Sequence, residues 1–284
     1  MSDRLGDKGF RCSPARSRMF PELGEVVRLG LATRGNTCLT ADSILTAVDQ
    51  GIDYLNWCGH PDGMRDAIRR LGPKRRQVKI AVQFKARTGK HAQRELHSLL
   101  DDLQTDYLDV ANYYYVEHAD EWAEITAAGG AAEVLAEARQ AGRVRAIGLT
   151  SHQRRLAAKI AESGQLDLLM VRYNAAHRGA EEDVFPVTSR LKLPVVAFTC
   201  LRWGALLKST PDDPPGYAVP PASDWYRFAL CHPAVGVALM APDGDGELEE
   251  NLRLLDDWRG FDPQEYERLC AHGNRVRRHA GGFP

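Results

Sequence analysis

GIDYLNWCGHPDGMRDAIRRLG, running from Gly51 to Gly72, is the stretch whose reading decides the fold. Before it, Leu39 to Asp49 is amphipathic, and Gly51 ends it as a left-handed helix cap does. Ile52, Tyr54 and Leu55 then form a short apolar run, the length of a buried parallel strand. That strand runs into a polar tip, Asn56 to Gly63, and a second helix pattern follows. Helix, buried strand, polar tip, helix is the unit by which an α/β sheet exposes chemistry at its strand ends. Asn56, Trp57, His60 and Asp62 are therefore candidate site residues.

Working outward, the same unit repeats. Val26 to Ala32 reads as a first strand and Ile52 to Leu55 as the second. Val78 to Phe84, Tyr107 to Tyr115, Val144 to Leu149, Leu166 to Arg172, Leu193 to Phe198 and Val235 to Met240 supply six more. Helical patterns separate them, and Thr40 with Ser43 caps the first. VEHADEWAEITAAGG (116–130) reads as a long loop, and STPDDPPGYAVPP (209–221) as a rigid proline-rich one. A last helix runs from about Pro263 to Arg278. Eight strands alternating with helices fit a closed (β/α)8 barrel, of class α/β, better than an open sheet. Residues 1–24 read as a polar, basic arm over the surface, and 25–284 as a single barrel domain with a C-terminal helix and tail.

The totals narrow the function. With 44% apolar and 26% charged residues and a net charge of −1, the chain has the composition of a globular protein with no bulk attraction to nucleic acid or anionic lipid. No run approaches the roughly 18 apolar residues of a membrane span, and the N-terminus lacks the apolar core of a signal peptide. The 6 cysteines are scattered without a CxxC pair, which favours reduced thiols over a disulfide frame or zinc site. The expectation is a cytoplasmic protein with a small-molecule ligand and no metal; nothing in the sequence sets the oligomeric state.

Five motifs, read in order, carry a resemblance: Asp106-Tyr107-Leu108-Asp109, then GRVRAIGLTS (142–151), Tyr173-Asn174, LRWGALL (201–207) and Glu250-Asn251. Over roughly residues 25–258 the chain resembles the aldo-keto reductases. That resemblance implies an aldo-keto-reductase-like barrel, a nicotinamide nucleotide (NAD or NADP), and a catalytic set of aspartate, tyrosine, lysine and histidine. The aspartate's place holds Asn56, the tyrosine's Pro61 and the histidine's Tyr114. The lysine's place holds Gln83, or Lys85 with a two-residue slip. In the family the lysine and aspartate form an ion pair. Removing one partner leaves a buried charge unpaired, at of order 3–5 kcal/mol, whereas an Asn56–Gln83 amide pair replaces both together.

The resemblance also assigns the cofactor. Thr150 and Ser151 stand where a serine and asparagine hold the carboxamide, with Leu201, Gly204 and Asn251 as further contacts. The next amide-binding glutamine is Met170, which has no donor. Ala241 and Glu247 occupy the places of basic partners of the NADP 2′-phosphate. Asp243, Asp245, Glu247 and Glu249 surround that helix start and repel the phosphate a bare N-terminus attracts.

Titratable groups gather at the C-terminal strand ends: His60 and Asp62, then Tyr114, Glu117 and His118, then His152, Arg172, His177, Arg178 and Arg202. Tyr114 or His60 is the candidate proton donor, with Asn56 and Gln83 beside it. Trp57, Asp62, His152, Arg172, His177 and Arg202 are candidate substrate contacts, because a guanidinium fork suits a carboxylate or phosphate. Three readings follow: a divergent nicotinamide-dependent oxidoreductase, a non-redox enzyme acting on an anionic molecule, or a pseudoenzyme acting as a binding or regulatory partner.

Overall fold

The computed structural model describes residues 15–33, 39–279 and 281. Two short strands, β1 (Arg16–Phe20) and β2 (Gly24–Val27), come first. The barrel strands are β3 (Leu29–Ala32), β4 (Tyr54–Trp57), β5 (Lys79–Phe84), β6 (Leu108–Tyr113), β7 (Val144–Ser151), β8 (Leu168–Arg172), β9 (Val195–Phe198) and β10 (Val235–Met240). They pair in sequence order, all parallel, and β10 closes on β3. The expected (β/α)8 barrel is therefore present. The helix before β4, Ala41–Asp49, starts as its sequence suggests, with Thr40 Oγ1 accepting from Ser43 N at 3.1 Å.

Alternation along each strand divides the side chains between two environments. Leu55, Trp57, Val82, Phe84, Ala111 and Tyr113 point outward into the layer shared with the helices. Tyr54, Ala81, Val110, Ala146, Leu168, Met170, Val196 and Val237 fill the interior. Continuing that parity puts Asn56, Gln83, Asn112, Thr150 and Arg172 on the inner face, toward the C-terminal mouth. The parity of β8, Leu168–Met170–Arg172, carries the last of these from the packed core to the rim.

The opposite end is sealed, and here the sequence expectation is corrected. The arm expected over residues 1–24 lies outside the described residues up to residue 14, but β1 pairs antiparallel with β2 as a hairpin. Phe20, Leu23 and Val26 belong to the interior cluster, and the Phe20 ring lies 6.5 Å from that of Tyr54. An open barrel end would leave apolar interior in water, and this hairpin covers it. The single strand expected over Val26–Ala32 is broken at Arg28. Its buried guanidinium donates to Leu230 O at 2.8 Å and Val235 O at 2.6 Å.

Three carboxylates stitch the same end. Asp53 accepts from Val27 N and Arg16, Asp109 from Ile80 N, Arg75 and Arg145, and Asp167 from Ile147 N and Arg139. Each binds a backbone amide of a neighbouring strand, so each fixes register as well as charge. Asp109 is only 1% exposed, so its pairing with two guanidinium groups is obligatory.

The segment 116–130, expected as loop, contains the helix Ala119–Thr126. Glu121 Oε2 accepts from Glu117 N and His118 N, the reciprocal half of a capping box, and Ile125 is buried. The fourth barrel strand ends at Tyr113 rather than Tyr115, and the fifth extends to Ser151.

The hairpin's role yields a stability prediction. Phe20→Ala opens a cavity at the barrel floor and is expected to cost about 3–5 kcal/mol in denaturant unfolding. A loss below about 1 kcal/mol contradicts the sealing role.

Candidate active site

The inner face near the mouth is occupied by amides and hydroxyls. Gln83 Nε2 donates to Asn56 Oδ1 at 3.1 Å and lies 3.7 Å from Met170 Sδ. Thr150 Oγ1 donates to Gln83 Oε1 at 3.4 Å, and Asn56 Nδ2 approaches Cys58 Sγ at 3.6 Å. Asn56, Gln83 and Thr150 are buried. A buried amide left unpaired costs about 1–3 kcal/mol, and this chain of contacts satisfies both ends of Gln83 without any net charge. Beside it, at the register position opposite Gln83 on β6, the Asn112 amide is fully buried with neither polar atom hydrogen-bonded. It fits because its neighbour is Gly148: a Cβ there would stand 2.1 Å from Asn112 Oδ1.

Above this layer the mouth is cationic and aromatic. Burial first, and then Arg172, Arg202, Arg277 and Arg154, push the His177 imidazole down to about 4. Burial and Arg172 also lower His152, with Glu117 opposing. Arg172 is itself lowered by burial and by Arg154, while Tyr115 and Glu117 raise it. The charges of Arg154 and Arg202 thus act on Arg172, and those of Arg172, Arg202, Arg277 and Arg154 on His177. Two nearby carboxylates have partners of their own: Glu181 accepts from the Tyr173 hydroxyl at 2.7 Å, and Asp183 holds Arg154 at 2.8 Å and Arg155 at 3.5 Å. Arg178 donates to Asn274 Oδ1, away from this group. Arg202 Nη2 donates to Gly281 O at 2.9 Å, which places Gly281 at the rim.

The aromatic side of the mouth runs from Tyr114 to Tyr115, His152 and Phe198. Their successive ring centroids lie 4.0, 4.4 and 5.8 Å apart. Strict alternation would separate Tyr114 from Tyr115. Instead Tyr115 leaves the strand with φ 45°, a left-handed conformation that brings its ring back beside Tyr114. Thr199, Arg202 and Trp203 are likewise left-handed, at φ 58°, 49° and 54°. Such residues cost about 1–2 kcal/mol each and concentrate where a site dictates the backbone.

Other candidates fall elsewhere. Trp57 points outward into the helix layer, its Nε1 donating to His60 O, because it is one residue out of phase with Asn56. Asp62 caps the helix Gly63–Arg70, accepting from Arg65 N at 3.1 Å. His60 is exposed on the same turn. Ser151 Oγ accepts from Gln153 N, ordering the turn after β7. Leu201 and Gly204 lie in the turn after β9, and Leu201 packs against the outer core. Asn251 lines a separate cleft of about 260 Å³, with Leu207, Pro220, Glu247 and Glu250, and its Oδ1 is buried without a partner. Cys200 and Cys270 are free thiols, while Cys12 and Cys38 lie outside the described residues. Among the described residues no cluster of three or more His, Cys, Asp or Glu side chains is placed to hold a metal.

The sequence profile of the Aldo/keto reductase family matches residues 62–222. The chain belongs to the aldo/keto reductase family. Solved aldo-keto reductases share its fold. One from Klebsiella pneumoniae in complex with NADPH superposes with a TM-score of 0.74 at 19% identity, covering 92% of this chain and 96% of that one. The holo form of an enzyme from Bacillus halodurans gives 0.73 at 15% identity, with coverage of 92% and 95%. One from Brucella melitensis gives 0.70 at 14%, with 92% and 98%. No curated protein sequence matches the chain. No helix among the described residues is long and apolar enough to cross a membrane.

Sequence reasoning missed Asn112, Gly148, Tyr115 and Phe198 within this reductase-family barrel. Strand parity was the available signal for Asn112, two residues before Tyr114. No local pattern announces the left-handed turn at Tyr115.

The amide pair makes a direct prediction. Asn56→Asp alone buries a carboxylate beside neutral partners and is expected to destabilise the fold by about 3 kcal/mol or more at pH 7. Adding Gln83→Lys is expected to restore at least about 1 kcal/mol in a double-mutant cycle. Strict additivity of the two changes contradicts the pairing.

Proposed function

We propose that this family member binds a small anion at its barrel mouth and does not reduce carbonyls by the family's route. In this reading the aspartate, tyrosine, lysine and histidine are replaced by Asn56, Pro61, Gln83 and Tyr114. What supports it is Arg172 on the inner-face parity of β8, opposite Phe198 of β9, with the charges of Arg154 and Arg202 acting on it. A guanidinium in a partly desolvated mouth contributes roughly 1.5–3 kcal/mol per charge-assisted hydrogen bond to a carboxylate or phosphate. Pro61 has no proton to give. Tyr114 keeps a hydroxyl, but the lysine–aspartate pair that assists a donor in the family is here the neutral Gln83–Asn56 pair.

The residues present do not fit a nicotinamide nucleotide held in the family's manner. Thr150 and Met170, at the carboxamide's place, already contact the protein's own carboxamide on Gln83. Asp243, Asp245 and Glu247 flank the helix start where a 2′-phosphate would lie, and Glu247 Oε2 accepts from Asp243 N at 2.9 Å. The Klebsiella pneumoniae relatives were crystallised with NADPH, or with NADP and acetate, and the Bacillus halodurans relative in a holo form. Those ligands motivate the direct comparison of nucleotides below. A non-redox enzyme and a binding protein are both served by this anion site; it is the ligand's charge that the mouth selects.

Steady-state assays with NADPH and a panel of aldehydes and ketones are expected to show turnover below about 1 s⁻¹. Faster turnover contradicts the replacement of the catalytic set. Calorimetric titration is expected to find NADP bound no more tightly than NAD; a tenfold preference for NADP, about 1.4 kcal/mol, overturns the reading of the acidic helix start. Binding of inorganic phosphate is expected to weaken at least about tenfold in Arg172→Met, and an unchanged affinity removes Arg172 from the site.

A further inference from the structure

The cleft that Asn251 lines is acidic on one helix and apolar elsewhere, and no basic side chain lines it. Glu247, Glu250 and Asn251 stand at i, i+3 and i+4 on the helix Asp245–Leu252, so one face of that helix supplies all three. Glu247 Oε2 accepts from Asp243 N at 2.9 Å, which holds its carboxylate at the helix start. Glu250 makes no ion pair with any described residue.

Asn251 adds an observation independent of those charges. It is 2% exposed, it lines the cleft, and its Oδ1 has no hydrogen-bond partner. A buried acceptor left unpaired is costly, and an N–H brought in by a ligand satisfies it. The remaining lining is apolar and includes Leu207, Val219 and Pro220. Leu207 is one of three large apolar side chains exposed among the described residues, so covering it is favourable. Val219 and Pro220 belong to the proline-rich loop, whose Asp213 accepts from Thr210 N at 2.6 Å and from Arg275 Nε of the helix Pro263–His279 at 2.6 Å. That tie sets the apolar lining in place before a ligand arrives, which lowers the entropy cost of binding.

The volume of about 260 Å³ lies below the roughly 300–1,000 Å³ of drug-sized sites and suits a single ring with a short polar head. Both carboxylates and the amide oxygen are acceptors, so the complementary head carries only donors, and a phosphate or carboxylate is repelled. A neutral donor would satisfy Asn251 and leave both carboxylate charges uncompensated. We propose that this cleft binds a small organic cation, with an ammonium or amidinium head on Glu247, Glu250 and the Asn251 oxygen and an apolar body against Leu207, Val219 and Pro220. The site is separate from the anion site at the mouth and does not depend on it.

Equilibrium titrations of the full chain at low ionic strength test this with benzamidine, benzamide, acetamidine and adenosine. Benzamide keeps the ring and shape of benzamidine without its charge, acetamidine keeps the charge without the ring, and adenosine is a neutral base-bearing donor. Wild-type protein is expected to bind benzamidine at least about tenfold more tightly than each of the other three. Glu247→Gln combined with Glu250→Gln, two exposed positions, is expected to reduce the benzamidine-to-benzamide ratio to about threefold or less. Equal affinity for benzamidine and benzamide overturns the cation assignment, and so does a ratio that survives the double substitution. Acetamidine binding as tightly as benzamidine overturns the apolar body, and adenosine binding as tightly shows that the cleft selects a neutral base instead. Failure of benzamidine to bind overturns the site itself.

Discussion

Gln83 must be paired, and the upper half of the barrel is arranged around that requirement. Its side chain points inward from β5 into a layer closed to water, where a lone amide would be costly. Asn56 from β4 and Thr150 from β7 supply the hydrogen-bond partners, and the Met170 sulfur from β8 completes the contact. One side chain thus links four of the eight strands at the level where a barrel enzyme places its chemistry. The link is neutral. A charged pair in the same place would carry a desolvation cost recovered only by its own mutual attraction, whereas amides fit this packing without either.

Charge is instead displaced one layer upward. Two residues beyond Met170, the parity that buries Leu168 and Met170 brings Arg172 to the rim, beside groups contributed by the neighbouring loops. The same displacement explains why His177 is held neutral: it is partly buried, and the charges of nearby arginines oppose its protonation. At the opposite end the logic reverses. Buried carboxylates Asp53 and Asp109 are paired and fix strand register, and the Phe20 hairpin excludes water. The paired carboxylates thus lie at the floor and the arginines that act on Arg172 at the mouth.

Much of the fold was legible because a barrel strand advertises itself by a short apolar run between turn signals. The helix Ala119–Thr126 escaped, since only Trp122 and Ile125 interrupt an acidic stretch and its cap depends on Glu121 folding back. The site was legible in part. Asn56 stood out at the polar tip of its strand and Gln83 came from the resemblance to the reductase family, and their pairing follows from the inward parity of adjacent strands. Trp57 and Asp62 were misplaced for physical reasons: a one-residue phase shift sends Trp57 outward, and a carboxylate just before a helix serves its amides first. The meeting of Tyr114 with Tyr115 needed the backbone, because alternation predicts the opposite.

The central claim is that the mouth holds a positive field seeking an anion, and His177 reports that field. Its imidazole can be followed by NMR through a pH titration, in free protein and again with saturating inorganic phosphate. The account predicts a midpoint of about 4 in the free protein, displaced from the ordinary 6.5 by burial and four arginines. It predicts an upward shift with phosphate, because a bound anion favours the imidazolium. A free midpoint near 6.5 that phosphate leaves unmoved would contradict it.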